Sequence, residues 1–348
     1  MPLMFGAVLA ASAQTVQRGG CPSERHVAVK AKGKNMTELG LVGDIGGTNS
    51  RFGLVARGSS EVTRVEALKN DGFAGLEAAI GHYLKNQCVT SLRSAAVAVA
   101  APVDREVIRL TNRDWSFSAA SLQAAANSAH FRLLNDYEAL ALSLPHLASQ
   151  DLEQVGGKAP MPNAMKIVLG PGTGLGMAML APLPGGGWHA LPGEGGHVTL
   201  PVVTAEELNL RDALMGAGNF SEVEDVLTGP GLYALYKVIA GTPKYLTSED
   251  MLQAAIAGQD KAAEKTLDHF ITFLARLSGD FAMALQAHGG VYLAGGIAPS
   301  IVKQLQNGSF RKTFDDHGRI AEVIHNIPVY VIMDKFPAFK GCVAALSW

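Results

Sequence analysis

A chain of 348 residues with 48% hydrophobic and 17% charged residues can bury a large core and lacks the composition of a disordered protein. A formal net charge of -2 leaves no basic excess for a nucleic-acid backbone, and no run of about 18 apolar residues is present to span a membrane. The 39 glycines exceed the usual share of roughly 7%, which asks where the backbone turns tightly or approaches a ligand.

Residues 1–14 are apolar and carry Ala10-Ala11-Ser12-Ala13, as a signal peptide does, but without its positive n-region. Residues 19–35 are polar and basic without a period, so 1–36 is expected to be a flexible extension, a targeting role being the alternative. The apolar run 39–44 reads as a strand that ends in a carboxylate before Gly46-Gly47, and 51–56 and 62–68 alternate as strands do. A helix is expected over 73–84 and a buried strand over 95–101, bounded by Pro102. Next come a helix over 118–127, capped by Ser116 or Ser118, and a strand over 131–135. Asp136 opens a helix that runs to Leu144 and is stopped by Pro145.

The order then repeats. Strands are expected at 166–169, 175–180 and near 188–191, the first two joined by a second glycine turn. Helices follow at 205–215, 220–227, 231–239 and about 259–287, then a strand at 291–294, a helix at 299–306, a strand at 328–332 and a helix at 338–346. Each half begins strand, glycine turn, strand, strand, which implies α/β sheets with helices on both faces. Two lobes are expected. The small one takes 37–146 plus 334–348; the large one takes 147–333 and carries the added helices. A ligand cleft would lie between them.

Gly43-Asp44-Ile45-Gly46-Gly47-Thr48-Asn49 suits a nucleotide phosphate, because glycine lets backbone N–H groups approach an anion and Thr48 adds a donor. Asp44 can hold Mg2+ through water. Alone, such a turn is usually only a hairpin. A second one, Gly170-Pro171-Gly172-Thr173-Gly174-Leu175-Gly176, sits at the matching point of the repeated pattern. Neither has the spacing of a P-loop or of a dinucleotide fingerprint. A third glycine element runs from Gly289 to Ile297; its Gly295-Gly296 turn offers backbone for a flat base, or else close strand–helix packing.

Asn135-Asp136, at a strand end and helix start, is either a cap or a general base. Leu191-Pro192-Gly193-Glu194-Gly195-Gly196-His197-Val198 places an acid and a histidine three apart, for sugar hydroxyls, acid/base work or a satisfied turn; zinc is disfavoured with no cysteine near. Glu224, four residues before Thr228, is by itself an ordinary helix acid. Cys21, Cys88 and Cys342 are too far apart for a metal motif or a disulfide framework, which suits a reducing compartment.

Together these pieces resemble the bacterial glucokinase family, a non-ROK branch of the actin-like ATPase and sugar kinase superfamily with a ribonuclease-H-like fold. The resemblance spans about 39–345. It rests on the motifs above with Thr111-Asn112, Trp115 and Phe117, Leu227-Thr228-Gly229-Pro230-Gly231-Leu232 and Ala294-Gly295-Gly296-Ile297. It implies that Gly43, Asp44, Ile45, Gly46, Gly47, Thr48, Gly172, Thr173, Gly174, Gly295 and Gly296 hold ATP, with Mg2+ on Asp44. It makes Asp136 the base for the sugar 6-hydroxyl, and Asn135, Asp136, Glu194, His197 and Glu224 the glucose ligands. It further implies a homodimer; from the charge, the lack of an apolar span and the scattered cysteines, a cytoplasmic protein without nucleic-acid or membrane partners is expected. The cysteine-rich zinc motif of the related ROK kinases has no counterpart between Cys88 and Cys342. The alternatives are a kinase for another hexose, such as mannose, fructose or an amino sugar, and a non-catalytic sugar sensor.

Overall fold

The computed structural model describes residues 38–110 and 113–348. The expected extension over 1–36 and the Thr111-Asn112 motif lie outside them.

The first part of the chain runs β1 (Leu39–Ile45), β2 (Asn49–Ala56), β3 (Val62–Lys69), α1 (Leu76–Asn86), β4 (Leu92–Val99), the short pair β5 (Ile108–Arg109) and β6 (Ser116–Phe117), α2 (Ala119–Ala126), β7 (Ser128–Asn135) and α3 (Asp136–Ser143). Five strands form a sheet in the order β3-β2-β1-β4-β7. β1, β4 and β7 are parallel, and their register levels Ile45, Val99 and Asn135 at the carboxyl ends.

The second part runs β8 (Leu152–Gly156), β9 (Lys166–Pro171), β10 (Leu175–Pro182), β11 (Trp188–Gly193), α4 (Ala205–Met215), α5 (Gly229–Ala240), α6 (Ser248–Ile256), α7 (Lys261–Ala284), β12 (Val291–Leu293), α8 (Val302–Leu305), α9 (Ser309–Phe314), α10 (Ala321–His325), β13 (Val329–Ile332) and α11 (Pro337–Ala344). Its sheet has the order β11-β10-β9-β12-β13-β8. The antiparallel trio β9-β10-β11 matches β1-β2-β3, and β12 lies parallel to β9 as β4 does to β1.

The period of two along each strand divides the core into layers. Leu41, Ile45, Ala95, Val97 and Val99 face α1 and α2, whereas Val42, Ala96, Ala98 and Leu134 face α3 and α11. In the second sheet Ile167, Leu169 and Met177 face α5, α6 and α7, whereas Val168, Ala178 and Leu180 face α3 and α11. Helices α3 and α11 are therefore packed between the two sheets. Their approach is close, since a Cβ at Gly341 would overlap the Ala139 carbonyl.

Several sequence expectations are corrected. Residues 220–227 form only a single 3-10 turn, Val223–Asp225, because the backbone there is tied to its neighbour through a Thr199–Glu222 bridge and the Val223 N–H on Val198 O. Helices α6, α9 and α10 and strands β5, β6 and β8 were not expected. The expected helix over 299–306 is a 3-10 turn, Ala298–Ile301, followed by α8. Ser118, not Ser116, caps α2. Cys342 is a buried free thiol.

Candidate active site

The first glycine turn links β1 to β2 and is shaped from behind by Asn70, a fully buried polar side chain at the end of β3. Its Nδ2 donates to Gly46 O at 2.8 Å and Gly47 O at 3.1 Å, and its own N–H donates to Thr48 O at 2.9 Å. Ser50 Oγ donates to its Oδ1 at 2.7 Å, and Arg113 Nε reaches Gly47 O at 3.2 Å. Trans peptides are planar, so the N–H groups of Gly47, Thr48 and Asn49 point away from Asn70. The turn thus presents a row of amide donors on one side, the arrangement that receives an anion. Gly46 and Gly47 have no positive φ, so the glycines supply access rather than left-handed backbone.

Asp44 stands on the face of β1 that looks toward α3 and α11, as Val42 does. Burial raises its carboxyl, opposed by Arg51 at 3.5 Å. Asp136 is the first residue of α3. The cap of that helix is Asn135, whose Oδ1 accepts from Tyr137 N at 3.0 Å and Glu138 N at 3.3 Å while its Nδ2 donates to Ala101 O at 3.2 Å. Asp136 is therefore free of the capping role. Burial lifts its carboxyl to about 6, the nearby Asp44 charge adds to the rise, and the Tyr137 N–H on Oδ1 at 3.0 Å opposes it. Strand register explains the proximity: β1 and β7 flank β4, so the two carboxylates rise from parallel strand ends about 10 Å apart in the sheet. The crevice beyond such carboxyl ends is the usual ligand position in α/β sheets.

The second glycine turn, between β9 and β10, is a hub. Gly170 and Gly176 are paired in register and face α3, and a Cβ on either would overlap the Tyr137 side chain. Gly172 N donates to Gly174 O at 2.9 Å, and Gly229 N, at the start of α5, donates to Gly172 O at 2.8 Å. Glu224 Oε2 accepts the Leu175 N–H at 2.7 Å. Gly295, with φ of +78°, lies against the Pro171 carbonyl, where a Cβ would intrude. Beyond Gly296 a cavity of about 330 Å³ opens, lined by Leu232 of α5, Ser248, Glu249, Leu252 and Gln253 of α6, and Ile297 and Ser300.

The acidic turn after β11 meets the same hub. Gly193 pairs with Met177, and a Cβ on Gly196 would strike Leu175 O. His197 Nδ1 bonds to Glu222 Oε2 at 2.6 Å, and its Nε2 lies 3.9 Å from Glu194 Oε2. The Glu222 bond raises the His197 pKa, aided by the charges of Glu222, Glu224 and Glu194. Glu194, His197 and Glu224 are thus brought together as a cluster, and Glu222 joins them. Glu222 and Asn70 were missed in the sequence. Nothing in it singles them out, since each acts through a long-range contact.

The second glycine turn is thus joined to Asp136 through Tyr137 and to the acid–histidine cluster through Glu224, and comparison with known proteins decides the family. The family model described as Glucokinase matches residues 41–347. The chain belongs to the Glucokinase family. A glucokinase of Hahella chejuensis is 36% identical over 314 residues, covering 89% of this chain and 97% of that protein. One from Aromatoleum aromaticum is 39% identical over 312 residues, covering 88% and 94%. The crystal structure of a glucokinase from an Antarctic psychrotroph superposes with a TM-score of 0.81 at 29% identity, covering 89% of this chain and 99% of that one. The glucokinase-family sheets with flanking helices are therefore the expected α/β, actin-like ATPase architecture. Among the described residues no helix is long and apolar enough to cross a membrane.

Proposed function

We propose that this glucokinase-family chain transfers the terminal phosphoryl group of ATP to the 6-hydroxyl of glucose, in a cleft between two lobes built on the two sheets. The observation that supports the reading is that Asp136 feels the Asp44 charge and is joined through Tyr137 to the second glycine turn, on which Glu224 and the His197 turn converge. A sugar hydroxyl is a weak nucleophile, and a carboxylate in reach of its proton assists attack on phosphorus. Asn135 supports that role by taking over the capping bonds of α3, so that Asp136 accepts the Tyr137 N–H through Oδ1 without serving as the cap. A base that titrates near 6 is ionised at pH 7–8 and still a useful proton acceptor.

The Gly47 and Thr48 amides and the 172–174 turn would embrace the phosphates. The cavity beyond Gly296 would take the base of the nucleotide, with Ile297, Leu232 and Leu252 as its apolar walls. The charge of Asp44 raises Asp136, a repulsion that a nearby Mg2+ would relieve; Asp44 would hold the ion through water, and when bound it would neutralise phosphate charge. On the sugar side, Glu194 and His197 would accept and donate to hydroxyls. Glu224 would do so with Oε1, its Oε2 being engaged by Leu175 N. Asn135 would reach the sugar with its remaining Nδ2 proton. Closure of the lobes would exclude water, which otherwise competes as acceptor. A cytoplasmic homodimer belongs to the same proposal, to be checked by fractionation and light scattering.

The test is ADP production from Mg-ATP by the intact chain with glucose, mannose, fructose and N-acetylglucosamine in parallel. Stimulation by glucose supports the reading. Stimulation by a different hexose alone keeps the chemistry and replaces the acceptor. No stimulation in folded protein favours a sugar sensor.

A further inference from the structure

Tyr137 lies between two parts of the site that come from different sheets. It follows Asp136 directly on α3, and its own N–H binds the Asp136 carboxylate. Its ring crosses to the second sheet and rests on Gly170 and Gly176, the two glycines that face α3 across the paired strands. Its hydroxyl donates to Gly170 O at 2.7 Å, and burial raises the phenol pKa, so the group stays a neutral donor. Gly170 and Gly176 bracket the Gly172–Gly174 turn. These two glycines are accounted for by the tyrosine ring, and Gly174 lies against Glu224 Oε2, which leaves Gly172 as the more open glycine of the turn.

We infer that Tyr137 is a positioning residue: its hydroxyl bond to Gly170 holds the Asp136 carboxylate in fixed geometry against the β9–β10 turn. This rests on reading Asp136 as the base. The physical argument is one of lever length. Asp136 is the first residue of α3, where a helix is least restrained by its own hydrogen bonds. Asn135 fixes the backbone there from the first sheet, and beside the apolar packing of α3 on the second sheet the Tyr137 hydroxyl bonds the helix start to β9, which leads into the glycine turn. Removing the hydroxyl leaves Gly170 O without its side-chain donor and the ring free to shift. A shift of a fraction of an ångström at a base is felt in turnover more than in binding.

The experiment compares Tyr137→Phe and Tyr137→Leu in the native and Asp136→Asn backgrounds, with kcat and both KM values measured on folded protein at pH 8. Phenylalanine keeps the ring, so its fold is retained; leucine gives a second variant without the hydroxyl. In the native background Tyr137→Phe is expected to lower kcat about 3–10-fold, the usual worth of one hydrogen bond, with the glucose KM unchanged within twofold. In the Asp136→Asn background the same change should alter the residual kcat by less than twofold, because the group it positions is gone. Equal losses in both backgrounds, or no loss in kcat with either variant, would overturn the inference. Near-normal turnover of Asp136→Asn alone refutes instead the base assignment, before Tyr137 is touched.

Discussion

Asp136→Asn should cost turnover and add stability, and the two effects share one cause. The carboxyl is pushed from 3.8 to about 6 chiefly by burial, with the Asp44 charge adding to the rise. At about 1.4 kcal/mol per unit, a rise of about 2 units means that the ionised group costs the fold about 3 kcal/mol at pH 7–8. Asp136 is partly open to solvent, and screening brings the expected value to about 1–2 kcal/mol. Between pH 3.8 and about 6 the folded state binds more protons at this site than the unfolded chain. Stability from this group is therefore complete below 3.8, falls as pH rises, and is lost above about 6. Asparagine keeps an oxygen for the Tyr137 N–H and carries no charge. The variant should melt higher than the native chain at pH 8, and the gap should close by about half at pH 5. Its turnover at pH 8 should fall roughly 10²–10⁴-fold, the worth of a positioned base. The assay is thermal unfolding of both proteins at pH 5, 6, 7 and 8 beside steady-state kinetics. A melting difference that does not change with pH would refute the burial argument, and retained turnover would refute the role.

The other predictions concern the remaining parts of the site and the helix pair that supports it. Glu222→Gln removes the carboxylate that raises His197, so the histidine titration followed by NMR should move down toward its ordinary value; the glucose KM should rise about 3–10-fold. An unmoved titration would show that the bond at 2.6 Å is not formed in solution. Ile297→Trp places a large ring in the cavity beyond Gly296 and should raise the ATP KM tenfold or more with the glucose KM unchanged; an equal rise in both would remove that cavity from the nucleotide site. Gly341→Ala drives a methyl group into the Ala139 carbonyl between α3 and α11 and should destabilise by about 3 kcal/mol, the upper end for overpacking. Denaturation with native-like stability would mean that the helices separate easily.

Much of this site was legible in the sequence because its parts are local. β1 and β9 end in glycine turns, Asp44 stands beside the first of them, Asp136 opens the helix after β7, and Glu194 and His197 share the glycine-rich turn after β11. What escaped depends on contacts between distant segments. Asn70 reads as a loop residue until Gly46, Gly47 and Thr48 are seen to fold onto it. Glu222 was hidden inside an expected helix over 220–227, where Val223 and Glu222 instead bond to the strand-like segment after His197. Gly170 and Gly176 were read as part of an anion loop, yet their lack of side chains is explained by Tyr137. Helix α6 is short and follows a loop, so the sequence did not reveal it, and half of the cavity beyond Gly296 went with it.

The central claim is phosphoryl transfer to the sugar 6-hydroxyl. It is tested most directly by following phosphorus-31 signals of the intact chain with Mg-ATP and either glucose or 6-deoxyglucose, which keeps the other hydroxyls and lacks the acceptor. The account predicts a sugar 6-phosphate and ADP in equal amounts from glucose, and from 6-deoxyglucose no phosphorylated sugar together with competitive inhibition. Phosphorylation of 6-deoxyglucose, or ADP formed from glucose without any phosphorylated sugar, would contradict it.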